Sequence, residues 1–121
     1  MALTPYVYRT QVIRVVDGDT LWCRIDLGFR TQAEHSIRLA GIDAPELFTG
    51  TDREAGAASR DAVQTWVDEW QDICDDEWPF VLHSDKGGGF GRWAGTLWRM
   101  GDSRALNSWL VDAGFAVESQ P

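Results

Sequence analysis

Two short acidic stretches and two arginines are the parts of this chain best equipped to do chemistry. The first stretch is Asp17-Gly18-Asp19-Thr20 and the second is Asp43-Ala44-Pro45-Glu46. The arginines are Arg38, inside an otherwise apolar run, and Arg92, shortly after three consecutive glycines. Carboxylates are hard oxygen donors of the kind calcium prefers, and one within hydrogen-bond reach of a water can take its proton. Guanidiniums are planar forks that hold phosphate oxygens two at a time. Each piece also has an ordinary reading when taken alone. Asp-Gly between two apolar runs is a hairpin turn, the stretch from Asp43 to Glu46 is a strand end with solvated acids, and Arg92 is a charged guard on a strand edge. Arg38 is harder to set aside, because a buried arginine needs partners.

The elements that must position these residues can be read from hydrophobic spacing. Val7, Val12, Ile13, Val15 and Val16 mark a strand from Tyr6 to Val16, ending at the Asp17-Gly18 turn. Thr20 to Leu27 is a second strand with partial alternation, broken by Gly28-Phe29, and Ser36 to Ile42 is a third. Pro45 cannot continue a ladder and holds Ala44 extended. A loop over 47–53 leads to a helix from Arg53 to Ile73, where Val63, Trp66, Val67, Trp70 and Cys74 form one apolar stripe and Asp61, Asp68, Glu69 and Asp72 lie opposite. Pro79 to His83 is a fourth strand, Lys86 to Gly89 a glycine-rich turn, and Arg92 to Trp98 a fifth strand. Asp102 or Ser103 is expected to cap a second helix bearing Leu106, Trp109, Leu110 and Ala113, with Gly114 ending it. The order is β-β-β-α-β-β-α, a mainly β fold with α (α+β). Of the seven tryptophans, Trp66, Trp70 and Trp109 belong to helix stripes. Trp22, Trp93 and Trp98 lie on strands, where packing is favoured over base stacking.

A chain of 121 residues fits one domain spanning 1–121, and 44% hydrophobic residues suit a globular core. No apolar run approaches the ~20 residues of a membrane span. Met1 to Pro5 shows no basic region followed by an apolar stretch, so no signal peptide is visible and the expectation is a cytoplasmic protein. Cys23 and Cys74 have no metal-ligand spacing and are expected to be free thiols. The net charge of −8 argues against long-range attraction of nucleic acid. Its distribution weakens that argument: residues 47–86 hold three basic groups against ten acids, while 1–46 hold five against six and 87–121 three against three. An acidic helix on one side leaves room for a phosphate site on another.

In combination the motifs are specific. Val16-Asp17-Gly18-Asp19-Thr20-Leu21, then Ile37 through Glu46 (IRLAGIDAPE), then Phe90-Gly91-Arg92 occur in order and at suitable spacing. Gly56-Ala57-Ala58-Ser59 and the run from Leu106 to Ala116 add to the pattern. The chain resembles the staphylococcal-nuclease (thermonuclease-like) family over nearly its whole length. That resemblance implies a five-stranded OB-type β-barrel with two packed helices. It implies a Ca²⁺-dependent phosphodiesterase acting on DNA or RNA and leaving a 5′-hydroxyl and a 3′-phosphate. Position by position, it makes Asp19 and Asp43 carboxylate ligands of Ca²⁺, and Ala44 a ligand through its backbone carbonyl, where the family often has threonine. Glu46 falls where the attacking water is activated, and Arg38 and Arg92 fall where the scissile phosphate is gripped. Asp17 resembles an outer acid that orients water around the cation. No membrane association and no obligate protein partner is implied.

The chain also departs from the pattern. An acidic residue, a lysine and a tyrosine often precede the Gly-Arg pair in the family; here Gly88, Gly89 and Phe90 stand there. Phe90 can pack or stack on a substrate but cannot donate a hydrogen bond, so one lysine charge and one phenol hydroxyl are missing. Two other readings compete. One is a non-catalytic OB-type module binding nucleic acid or protein, against which the joint presence of Arg38, Asp43, Glu46 and Arg92 speaks. The other is an interaction module whose acidic helix docks a basic partner, which predicts neither a Ca²⁺ effect nor cleavage.

Overall fold

The computed structural model describes residues 5–45, 53–85 and 93–119. In chain order its elements are β1 (Val7–Asp17), β2 (Thr20–Asp26), β3 (Gln32–Leu39), β4 (Ile42–Asp43), α1 (Arg53–Ile73), β5 (Phe80–Asp85), β6 (Trp93–Arg99), α2 (Leu106–Asp112) and β7 (Val117–Glu118). Five strands close a barrel in the order β1-β2-β3-β6-β5, with β5 returning to β1. The β3–β6 pair is parallel and the other barrel pairs are antiparallel. This is the OB-like, mainly β architecture with two helices expected from the sequence, and its main elements follow the expected order.

Side-chain alternation sets the register. On β2, Leu21, Cys23 and Ile25 point inward and are buried, while Trp22 and Arg24 alternate with them. On β3, Ile37 and Leu39 are buried and Arg38 lies between them on the outer face. A slip of one residue would put Arg38 into the barrel and Leu39 into water. Burying a leucine is worth about 1.5–3 kcal/mol, and an unpaired buried charge costs more, so this register is strongly fixed. Val63, Trp66 and Val67 of α1 and Leu106 and Leu110 of α2 complete one core with Phe80, Leu82 and Leu97 of the barrel.

Several details differ from the expectation. The third strand starts at Gln32 rather than Ser36, because the polar run from Gln32 to Ser36 pairs along β2 from Asp26 to Trp22. It stops at Leu39: Gly41 takes φ +77, which glycine adopts without cost, and Ile42–Asp43 becomes a separate strand paired with β7. The cap of α2 is Ala105, with no side-chain cap bond, and not Asp102 or Ser103. Asp102 instead accepts the Arg104 N–H (3.0 Å), and Ala105 bridges to Trp98. Ala113, placed on the apolar stripe, is exposed. Gly114 does end α2, at φ +86, where its own N–H bonds Val111 O (3.1 Å) and the Phe115 N–H bonds Leu110 O (2.9 Å). Cys23 and Cys74 are free thiols, and burial pushes the Cys23 thiol up to about 12. Trp66 stacks on Phe80 at 5.6 Å, and Trp109 lies 6.1 Å from Phe115, as packing requires. Trp93 is exposed, against the expectation that it packs. Among the described residues no helix is long and apolar enough to cross a membrane.

Candidate functional site

The two acidic stretches meet at one rim of the barrel. β1 and β2 are joined by the two-residue turn Gly18-Asp19, closed by the Asp17–Thr20 pair. Irregularities between Val12 and Arg14 and between Val15 and Asp17 bend β1 on its approach, as bulges do near functional sites. Thr20 sits opposite Arg38 across β2 and β3, and the Leu39 N–H bonds Asp19 O at 2.7 Å. The turn is therefore tied to β3 at the point where Arg38 leaves the sheet.

The glycine in this turn is needed for space. Gly18 lacks the left-handed backbone seen at Gly28 or Gly41. A Cβ there would collide with Ser59 Oγ of α1 and stand 2.8 Å from Ser59 Cβ and 3.0 Å from Ala44 Cβ. Ser59 is fully buried and donates its hydroxyl to Phe115 O at 2.9 Å. Helix α1, the turn and the segment after α2 thus interlock behind the acids.

Asp19 is held on both oxygens. Its Oδ1 accepts the Thr20 hydroxyl (3.1 Å) and its Oδ2 accepts the Ala44 N–H (3.0 Å), which joins the first acidic stretch to the second. Arg38 Nη2 lies 3.6 Å from Asp19 Oδ2 and also pairs with Asp43 Oδ1. The exposures grade outward: Asp19 is 13% exposed, Arg38 35% and Asp43 52%. Asp17 Oδ1 is buried and has no hydrogen-bond partner among the described residues. Together with Val16, Thr20, Ser36 and Ala44 these residues line a cleft of ≈ 460 Å³. No acid of α1 lines it.

Of the residues expected at the site, the structure brings together Asp17, Asp19, Arg38, Asp43 and Ala44. Glu46, Phe90 and Arg92 lie outside the described residues. The donor set suits a hard cation. Two carboxylates converge on one positive centre, at present a guanidinium nitrogen, and a third has a buried oxygen without a partner among the described residues. Among the described residues no three His, Cys, Asp or Glu side chains group closely enough to enclose a metal by themselves. A cation here would rest on two carboxylates, the Ala44 carbonyl and water.

Sequence reasoning assigned no role to Asn107. It is buried on α2, donates to Ala40 O (2.9 Å) and Gly95 O (3.2 Å), and accepts the Leu97 N–H (3.3 Å). It ties the end of β3, just past Arg38, to β6. The signal available was an asparagine beside the apolar stripe of a helix, where a polar side chain is placed only if it is satisfied. No protein-family model matches the chain, and no curated protein matches it significantly.

Proposed function

We propose that this chain is a Ca²⁺-dependent nuclease of the staphylococcal-nuclease type, hydrolysing phosphodiester bonds in DNA or RNA. The observation that supports the reading is the meeting of Asp17 and Asp19, at the β1–β2 turn, with Arg38 of β3 and Asp43 of β4 in one cleft at the barrel rim. Core packing requires no such convergence of three acids and an arginine.

Each residue then has a task that its chemistry suits. Asp19, Asp43 and the Ala44 carbonyl hold the cation, and Asp17 orients water beside it. The bound cation offsets the repulsion between an anionic phosphodiester and the surrounding acids. Glu46, two residues beyond Ala44, takes the proton of the attacking water. Attack places charge on the equatorial phosphate oxygens, which Arg38 and Arg92 grip bidentately. One nitrogen of Arg38, Nη2, is engaged by Asp43, so the grip on phosphate competes with that pair.

The test is incubation with plasmid DNA and with single-stranded RNA, in Ca²⁺ or in chelator. Cleavage in Ca²⁺ that the chelator stops, together with Ca²⁺ binding heats lost in Asp43→Ala, is the expected result. Equal heats in wild type and variant, or no cleavage of either substrate, removes the nuclease reading. The second reading, a non-catalytic OB-type binding module, draws support from the Arg38–Asp43 pair, which compensates Asp43 without any metal. It requires binding of nucleic acid or protein that is indifferent to Ca²⁺, with no cleavage.

A further inference from the structure

Beside the cleft lies a smaller groove of ≈ 260 Å³ that shares Asp43 and Ala44 with it. Its other walls are Pro45, Gly114, Phe115, Ala116 and Val117, so among the described residues Asp43 is the one polar side chain that lines it. The register of β4 and β7 builds this arrangement. Val117 stands directly opposite Asp43 in an antiparallel pair. Such partners send their side chains to the same face, with Cβ atoms about 4.5–5.5 Å apart. Ile42 pairs with Glu118 and is buried in the core. The outermost acid of the cleft therefore has an apolar neighbour fixed beside it. Val117 is 65% exposed, so its side chain adds little to the core and lays apolar surface along the edge of the site.

The backbone around the groove offers a ligand as little as the side chains do. Ala44 N–H is given to Asp19 Oδ2 (3.0 Å) and Gly114 N–H to Val111 O (3.1 Å). The Phe115 and Ala116 N–H groups both go to Leu110 O (2.9 and 3.2 Å). Pro45 has no N–H, and Phe115 O already accepts the Ser59 hydroxyl (2.9 Å). A hydroxyl laid on this shelf would give up water and find no donor among these groups. Burying a hydroxyl without a partner costs free energy, whereas burying a CH₂ in the same place is favourable.

We propose that this shelf seats the sugar of a nucleotide flanking the scissile phosphate, and that Val117 makes the site prefer deoxyribose to ribose. The proposal rests on the nuclease reading and deepens it by naming DNA as the better substrate. A phosphodiester held at Asp43 carries a sugar on each side. The groove continues from Asp43 and Ala44, so one of these sugars comes against Val117 and Pro45. Deoxyribose presents a CH₂ where ribose presents the 2′-hydroxyl. A hydrophobic site discriminates against an added hydroxyl by at most about 10²-fold. Here Pro45, Gly114 and Val117 are exposed, so water still reaches part of the sugar and the expected preference is smaller, about five- to tenfold.

The experiment compares single-stranded oligodeoxyuridylate with oligouridylate of the same length, which differ only in the 2′-hydroxyl. The proteins are wild type and Val117→Thr, which keeps the shape of the side chain and adds one hydroxyl that can pair with the 2′-OH. Measured are kcat/KM in Ca²⁺, and the affinity for each strand in a Glu46→Gln background that slows cleavage. Wild type should favour the deoxy strand about five- to tenfold in both readouts, and Val117→Thr should narrow that ratio by about threefold or more. Ca²⁺ titration and the thermal midpoint should be unchanged, since Val117 is exposed and holds no cation. Equal use of both strands by wild type, a preference for the ribo strand, or a ratio that Val117→Thr leaves as it was overturns the sugar shelf while cleavage keeps the nuclease reading intact. A variant slowed equally on both strands shows that Val117 acts through Asp43 and not through the sugar, which also overturns the proposal. A wild type that cleaves neither strand removes the nuclease reading and the shelf with it.

Discussion

Arg38 stands where a cation would be useful, between Asp19 Oδ2 and Asp43 Oδ1. A cation and this guanidinium compete for the same two oxygens. Removing the guanidinium should therefore strengthen cation binding, while the phosphate loses one of its two grips. Two unit charges 4 Å apart in water interact by about 1 kcal/mol and more strongly in a partly buried cleft. Arg38→Gln is accordingly expected to bind Ca²⁺ about five- to tenfold more tightly and to turn over substrate far more slowly. Titration calorimetry reads the first effect and a plasmid assay the second. An unchanged or weaker Ca²⁺ constant would show that Arg38 supports the acids and does not occupy the cation's place. At this scale the sequence is informative: Asp19, Arg38 and Asp43 stand out by residue type, Ala44 enters only through the family resemblance, and the four meet. The role of Gly18 was not legible in this way. Asp-Gly advertises a turn, and nothing local reveals that its missing side chain makes room for Ser59, more than forty residues on.

Among the elements, the turn between β1 and β2 is held against α1 by that contact. Gly18→Ala forces Ser59 or the helix to move, an overpacking that typically costs about 1–3 kcal/mol. It should also shift Asp19 away from Ala44. Ser59→Gly in the same chain relieves the collision, so the double variant should lose less stability than the two single losses summed. Urea unfolding of the four proteins measures this, and strict additivity would mean that turn and helix do not press on each other. Asn107 is a second such joint. Asn107→Leu leaves Ala40 O and Leu97 N–H without these partners, at about 1–3 kcal/mol each, and should unfold at lower urea with little change in Ca²⁺ binding. The strands and α1 were legible because their patterns are strong: Leu21, Cys23 and Ile25 alternate, and Val63, Trp66 and Val67 recur at helical spacing. The two-residue strands β4 and β7 were not, since Ile42–Asp43 and Val117–Glu118 are too short to carry a period and exist only by pairing with each other. The start of β3 was hidden for a related reason. Gln32 to His35 have no apolar alternation, and only the partner strand makes them a ladder.

On the scale of the whole molecule, charge decides how stability follows pH. The net charge of −8 makes the compact state repel itself, and the acids of α1 do not line the cleft. Lowering the pH from 8 toward the pI of ≈ 4.5 relieves that repulsion and stabilises the fold. Two carboxylates work in the other direction. Hydrogen bonds from Trp22 and Arg24 hold Glu34 below its ordinary value of 4.5. The Trp78 N–H and Arg9 hold Asp76 below its ordinary 3.8, pinning the segment after α1 to β1. A group depressed by folding contributes stability that is complete above its unfolded pKa and is lost as the pH falls through the folded one. The two trends cross, so the thermal midpoint should peak at mildly acid pH, about 5 to 6, and fall steeply below about 4. Glu34→Gln combined with Asp76→Asn should lower the midpoint at pH 6, and the gap to wild type should close as the pH falls through the depressed values of the folded state, where the wild-type carboxylates take up protons too. Raising salt to about 0.5 M should flatten the alkaline side by screening the surface acids. Thermal melts from pH 3 to 8 at two salt concentrations measure all of this. A gap that stays constant across the acid range would mean that the two side chains act through hydrogen-bond shape alone, and that their charge plays no part in holding β1 and the β2–β3 hairpin in place.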